Sequence, residues 1–406
     1  MIAYYLFYGS LGLFSFFQSI DFKEQIVKEN LKVIERLVPF GLLFFIGLRY
    51  KIGTDWVEYK TFFDKVETID VVLFKSKLAI EFYSEEFFEL GFKFLVSLIK
   101  TLVGQFQFLV FIISAFNIYS FVRFLRINNV ENKFMFYLMY YSFNLFTEFD
   151  IIRQALAFYV FLFALEYVNK SFIKYALICL IAGSFHSSAL LFIPLYFFFK
   201  IDLSKRLLVI TLIVYFFGYL FGVKCISLIL DLFSFISGNY VFDKIKIYIG
   251  LFGYPNKFGI FTLVYSLLAL ILIFNYDKLQ SLSKSQKVMI LFFLAYAYVS
   301  VFFSEIKVVE ARFVFFFNFG IAFLFSFSSK LLKPKPQIIA VSFYITYAIL
   351  RFNLSMMDET VRLTYSPYFN YLFVDDQDEK FILEKYNRVK IKVGDYYEDK
   401  VIENKE

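Results

Sequence analysis

The stretch Asp150–Pro194, DIIRQALAFYVFLFALEYVNKSFIKYALICLIAGSFHSSALLFIP, is almost wholly apolar, yet it holds Arg153 and the chain's single histidine, His186. An ionisable group at membrane depth faces protein or water rather than lipid. Residues 152–168 are long enough to span, whereas the two apolar pieces that follow, 172–185 and 187–199, are short. A helix of about 14 residues rises only about 21 Å, against a hydrocarbon core of about 30 Å. Basic residues flank this pair on both sides, Lys170 and Lys174 before it, Lys200, Lys205 and Arg206 after it. Both ends are therefore expected in the cytoplasm. The break at Gly183-Ser184-Phe185-His186 then predicts a hairpin that stops in the outer leaflet with His186 at its tip.

The rest of the chain has the same character. Its 406 residues are 60% hydrophobic and 23% aromatic, with a mean hydropathy of +0.66. Soluble domains carry roughly 45–50% apolar residues. Apolar runs of membrane length recur to about residue 353, so the expectation is an all-α, polytopic integral membrane protein with about 12 transmembrane helices. The first twenty residues lack a basic leader and a small-residue cleavage site, and read as a retained helix. The net charge of +7 sits mostly in short loops, where it reports topology and not nucleic-acid binding. Cys179 and Cys225 lie in or at the end of apolar spans, and suggest neither a disulfide nor a thiolate metal site.

Spans are expected at 3–20, 33–50, 134–149, 152–168, 207–223, 259–275, 288–303, 311–329 and 337–353. To these add the short hairpin and a segment that re-enters as an interfacial helix at 87–102, breaks near Gly104 and spans to Arg123 and Arg126. The basic loops 21–36, 277–287 and 329–337 are then inside, which leaves both termini outside. The expected domain, residues 1–353, has external loops at about 49–90 and 225–258, the second of them amphipathic and lying along the membrane surface. Residues 354–406 form an external C-terminal segment and a flexible or weakly folded charged tail.

Sorting charges by span end gathers Arg49, Asp55, Glu89, Glu148, Asp150, Arg153, Glu305, Glu310, Arg312 and Arg351 at the outer side. Several arginines in one cavity suit a phosphate or pyrophosphate, because the planar guanidinium stays charged and matches its oxygens bidentately. A carboxylate or imidazole beside them can act as general base on a hydroxyl. The combination points to transfer chemistry on an anionic, membrane-borne substrate.

The segments GLRYKIGTDWVEY, EELGF, DIIRQALA, AGSFHSSALLFIP, EARF and YSPYF, spread over most of the chain, resemble the EpsG/Wzy-type polysaccharide polymerases. The resemblance implies an enzyme of the bacterial cytoplasmic membrane that joins O-antigen or exopolysaccharide repeat units carried on undecaprenyl pyrophosphate. It allows a GT-C-like glycosyltransferase architecture and implies no cofactor and no metal. The implied partners are the lipid-linked oligosaccharide, the bilayer, and other polysaccharide export and chain-length proteins, with no nucleic acid. Carried over to this sequence, the positions of interest are Arg49, Gly53, Thr54, Asp55, Arg153, Gln154, His186 and Arg312. Arg153 and Arg312 are expected to hold pyrophosphate, Arg49 to assist them or orient a sugar, and His186 or alternatively Asp55 to serve as base.

Structural readings stand beside these. His186 also reads as a histidine bonding the broken backbone near Gly183, and Arg153, Arg49 and Arg351 as interfacial anchors. Asp55 also reads as a helix cap, Trp56 and Tyr59 as interface aromatics, and Tyr365, Pro367 and Tyr368 as a surface turn. Two competing functions are a flippase or transporter for lipid-linked oligosaccharide and an external glycan ligase. Charges on one face and the lack of an internal repeat favour one-sided chemistry over alternating access.

Overall fold

The apolar runs form helices, the one way a single segment can satisfy its backbone hydrogen bonds in lipid. The computed structural model describes residues 1–20, 25–74, 88–130, 132–232, 249, 258–382 and 384–385. Most of the loop at 225–258, and the charged tail beyond 385, lie outside the described residues.

One compact unit comprises Met1–Phe134, Asn144–Ile201 and, among the described residues, 349–385. Its helices are α1 (Ile2–Ser19), α2 (Gln25–Gly47), α3 (Trp56–Lys65), α4 (Ile69–Phe74), α5 (Leu90–Leu102), α6 (Phe106–Ile127), α7 (Lys133–Asp150), α8 (Ile152–Ala164), α9 (Phe172–Phe185) and α10 (Phe192–Phe198). The second unit, Met135–Phe143 and Asp202–Ala348, takes the middle of α7. It continues through α11 (Lys205–Leu220), α12 (Cys225–Leu232), α13 (Ile260–Phe274), α14 (Tyr276–Gln280), α15 (Lys284–Phe302) and α16 (Lys307–Ser328). The last helices are α17 (Pro334–Met357), which ends in the first unit, and α18 (Glu359–Tyr365).

The expected spans all fall on helices. Among the described residues, four helices are long and apolar enough to cross a membrane, namely α6, α15, α16 over Val309–Ser328, and α17. They become five if α11 and α12, bent by 85° at their break, count as one span. Apolar side chains left outside fit a hydrocarbon surround: Ile173, Leu177, Leu180 and Ile181 form an exposed stripe on α9.

Helix starts follow local chemistry. Ser283 and Gln286 close a reciprocal capping box on α15, and the side chains of Ser171, Ser204 and Asp358 cap α9, α11 and α18. In the second unit, Glu305 accepts from the backbone N–H groups of Ile226 (2.7 Å) and Ser227 (3.2 Å) at the start of α12. Gly320 lets α16 press against α15, where an added Cβ would stand 2.4 Å from the Phe293 nitrogen.

In the first unit, α3 and α5 pack on α6 and α8 through Trp56, Tyr59, Phe62, Phe92 and Val96. The interface-aromatic reading of Trp56 and Tyr59 is therefore corrected: both are buried. The segment after α2 is a packed wall of the site.

Candidate active site

Four stretches far apart in sequence converge in the first unit. Arg49 follows α2 and is only 2% exposed. Its Nη1 donates to the Ile46 carbonyl (2.7 Å) and to Ser114 Oγ (3.4 Å), and the guanidinium lies 4.7 Å over the Phe149 ring. Its Nε is buried without a hydrogen-bond partner. This is no snorkelling anchor. Gln107 Nε2 donates to the Arg49 carbonyl (3.1 Å), and an antiparallel bridge joins Arg49 to Asn370. Backbone bonds from Tyr50 to Phe369 (3.0 Å) and from Tyr371 to Leu48 (2.7 Å) fasten the late YSPYF segment alongside.

The GTD turn then lies against Asp150, at the tip between α7 and α8. Gly53 has φ +115°, and a Cβ there would stand 2.9 Å from Asp150 Oδ1 and 3.0 Å from the Phe149 carbonyl. Only glycine takes that conformation without strain. Thr54 N–H donates to Asp150 Oδ1 at 2.7 Å, and the Tyr365 hydroxyl donates to the other oxygen. Burial pushes the Asp150 carboxyl up to about 6, although both hydrogen bonds pull it down. Asp55 makes no side-chain cap on α3, which corrects that reading; its Oδ1 accepts from Thr54 Oγ1 at 3.1 Å.

One turn along α8, Arg153 pairs with Glu89 and lies 4.5 Å over the Phe88 ring. The other Glu89 oxygen accepts from the Ser187 N–H at 2.9 Å. Burial opposes ionisation of Glu89, but the Ser187 N–H and Arg153 outweigh it and hold the carboxyl below its usual range. Tyr59 faces Arg153, and burial pushes its hydroxyl up to about 12 against the arginine's pull.

The expected break in the short hairpin is real: α9 ends at Phe185, His186 is extended, and a 3-10 turn runs over Ser187–Leu191 before α10. His186 Nδ1 accepts from the Ser188 N–H (3.3 Å) and lies 2.7 Å from Ser188 Oγ. A backbone N–H can only donate, so in this contact Nδ1 is the acceptor and Nε2 is the nitrogen left to carry a proton. Gly91 lets α5 meet this hairpin, since an added Cβ would stand 2.3 Å from Ser184 Oγ.

Residues 33–373 match the EpsG family. The chain belongs to the EpsG family. No curated protein and no solved structure matches it. The stretch that carries EpsG membership takes in every residue described above. It also takes in Arg312, which is exposed on α16 in the second unit.

Of the positions read from sequence, the first unit therefore holds Arg49, Asp55, Arg153, His186 and Gln154, the last buried beside Arg153. Around them this EpsG protein assembles Glu89 and Asp150, expected only as outer-side charges, with Tyr59 and Tyr365; Tyr365 is buried on Asp150, which corrects its reading as a surface turn. Glu89 and Tyr365 do lie in quoted segments, EELGF and YSPYF, so a signal was present without its partner.

Proposed function

We propose that the chain is a membrane-embedded polymerase that joins undecaprenyl-pyrophosphate-linked oligosaccharide repeat units at the outer face of the cytoplasmic membrane. Membership of the EpsG family across residues 33–373 carries this reading. In it, residues 1–353 form a domain of about twelve spans with GT-C-like architecture, and both termini and the charged tail are external.

The acceptor sugar hydroxyl attacks the anomeric carbon of the donor. A C–O bond forms there, the bond to pyrophosphate oxygen breaks, and undecaprenyl pyrophosphate leaves with the bonding pair. Arg153 binds the pyrophosphate, and Arg49, in the same unit, supplies a further fixed positive charge. A buried guanidinium already oriented by Ile46 and Ser114 needs no reorganisation as charge develops. Asp55 takes the hydroxyl proton. His186, with Nδ1 turned to Ser188, serves as an Nε2–H donor to a substrate oxygen and holds the hairpin tip in shape.

Purified protein incubated with a defined lipid-linked repeat unit tests this. A ladder of product lengths is expected. A single transfer to a foreign acceptor would make it a ligase, and movement across a vesicle with no new bond a transporter.

A further inference from the structure

A cavity of about 850 Å³ lies between α1 and α2 in the first unit. Its walls come from positions 3–14 of α1 and 34–45 of α2, with the segment around Tyr368–Val374 across one end. Twelve residues of each helix, rising about 1.5 Å from one to the next, make it about 16 Å long. Leu11, Leu37, Leu42 and Phe45 typify the lining.

The polar groups in its wall are committed elsewhere. Ser10 Oγ donates to the Phe7 carbonyl (3.0 Å), Tyr368 OH to the Phe45 carbonyl (2.5 Å), and Asn370 Nδ2 to the Phe44 carbonyl (3.1 Å). Asp378, the one acid in the lining, accepts from the Asp375 N–H (3.4 Å). A sugar would find little to bond in such a slot, whereas a hydrocarbon chain loses nothing there.

The cavity is also continuous with the site. The Phe45 ring stacks on Tyr368 at 4.5 Å, and Asn370, two residues on, is bridged to Arg49. Tyr4, on the α1 side, donates to the carbonyl of Tyr365, the residue that holds Asp150. An occupant with an apolar tail and an anionic head would thus have its head beside the buried Arg49 charge.

We propose that this cavity receives the isoprenoid tail of a polyprenyl pyrophosphate. The proposal rests on the polymerase reading for the identity of the tail. Gly41 lines the slot, and a Cβ placed on it meets nothing within 4 Å, so Gly41→Trp can project into the cavity without disturbing its helix.

The test uses the full chain in nanodiscs and a benzophenone-bearing polyprenyl diphosphate. Photolabel should map to residues 3–14 and 34–45, be removed by undecaprenyl pyrophosphate, and survive excess phosphatidylglycerol. Gly41→Trp should cut labelling at least fivefold while binding of geranyl diphosphate, whose tail is short, stays within twofold. Label elsewhere, equal competition by phospholipid, or full labelling of Gly41→Trp would overturn the proposal. If that variant also loses geranyl diphosphate it has lost its fold, and the wild-type label map decides. Wild-type polymerisation without label in the slot discards the slot alone. Label in the slot, displaced only by the polyprenyl lipid, with no polymer formed, keeps the slot and discards the polymerase.

Discussion

Glu89 holds Arg153 with one carboxylate oxygen while its other oxygen binds the backbone at Ser187. A single side chain at the start of α5 therefore ties the arginine of α8 to the tip that carries His186. The pair is separated by 64 residues and partly open to solvent, with side-chain exposures of 19% and 21%. Its value lies in orientation more than in stability.

Glu89→Gln and Glu89→Ala separate the two bonds. The glutamine keeps an oxygen for Ser187 and loses the charge, so polymerisation should fall roughly tenfold with little change in melting temperature. The alanine loses both bonds and should cost roughly a hundredfold in rate, with a lower melting temperature. Initial rates and thermal unfolding of the purified variants give the check.

Glu89 and Asp150 give opposite pH signatures. The Asp150 carboxyl is raised to about 6, so its contribution to stability is complete below its ordinary range and is lost as pH rises through about 6. Glu89 is lowered, so its contribution is present above the ordinary carboxylate range and is lost as pH falls through its depressed value. Between pH 5 and 7.5, wild type should lose melting temperature relative to Asp150→Asn. Glu89→Gln should track wild type over that range and diverge only in stronger acid.

Backbone strain predicts a graded pair. Gly53→Ala meets both a positive φ and a 2.9 Å contact with Asp150, and should destabilise by about 2–3 kcal/mol and weaken the Thr54–Asp150 bond. Gly104→Ala has φ +71° and nothing nearer than 3.7 Å, and should cost about 1 kcal/mol. Denaturation midpoints of the two variants should differ in that order.

The roles given to Asp55 and His186 separate by substitution. Asp55→Asn should lower polymerisation at least a hundredfold. His186→Asn, which retains a capping oxygen and an N–H donor, should lose less than tenfold, and His186→Ala should lose more and also destabilise by about 1 kcal/mol. Initial rates and thermal unfolding of the purified variants decide it: a loss no larger for Asp55→Asn than for His186→Asn would reverse the two roles.

The helices and the broken hairpin were legible in the sequence because both are local. Apolar length and the basic residues at 170, 174 and 200 bound the pieces, and Gly183 to His186 marks the break. The Asp150–Tyr365 bond spans 215 residues and the Ser187–Glu89 bond 98, and nothing in local spacing encodes such pairs. Glu89 reads from sequence only as one of the outer-side charges, and its two oxygens go to Arg153 and to the Ser187 N–H, partners that spacing does not name. Trp56 has the signature of an interface aromatic, but α5 and α6 cover it.

Direct binding of undecaprenyl pyrophosphate to the full chain in nanodiscs, wild type against Arg153→Ala, tests the central claim that the Arg153–Glu89 cluster engages the leaving group. At least a tenfold rise in Kd is expected for Arg153→Ala, and a smaller rise for Arg153→Lys, which keeps the charge and loses the planar fork. Equal affinity in wild type and Arg153→Ala, with the variant folded, would contradict it.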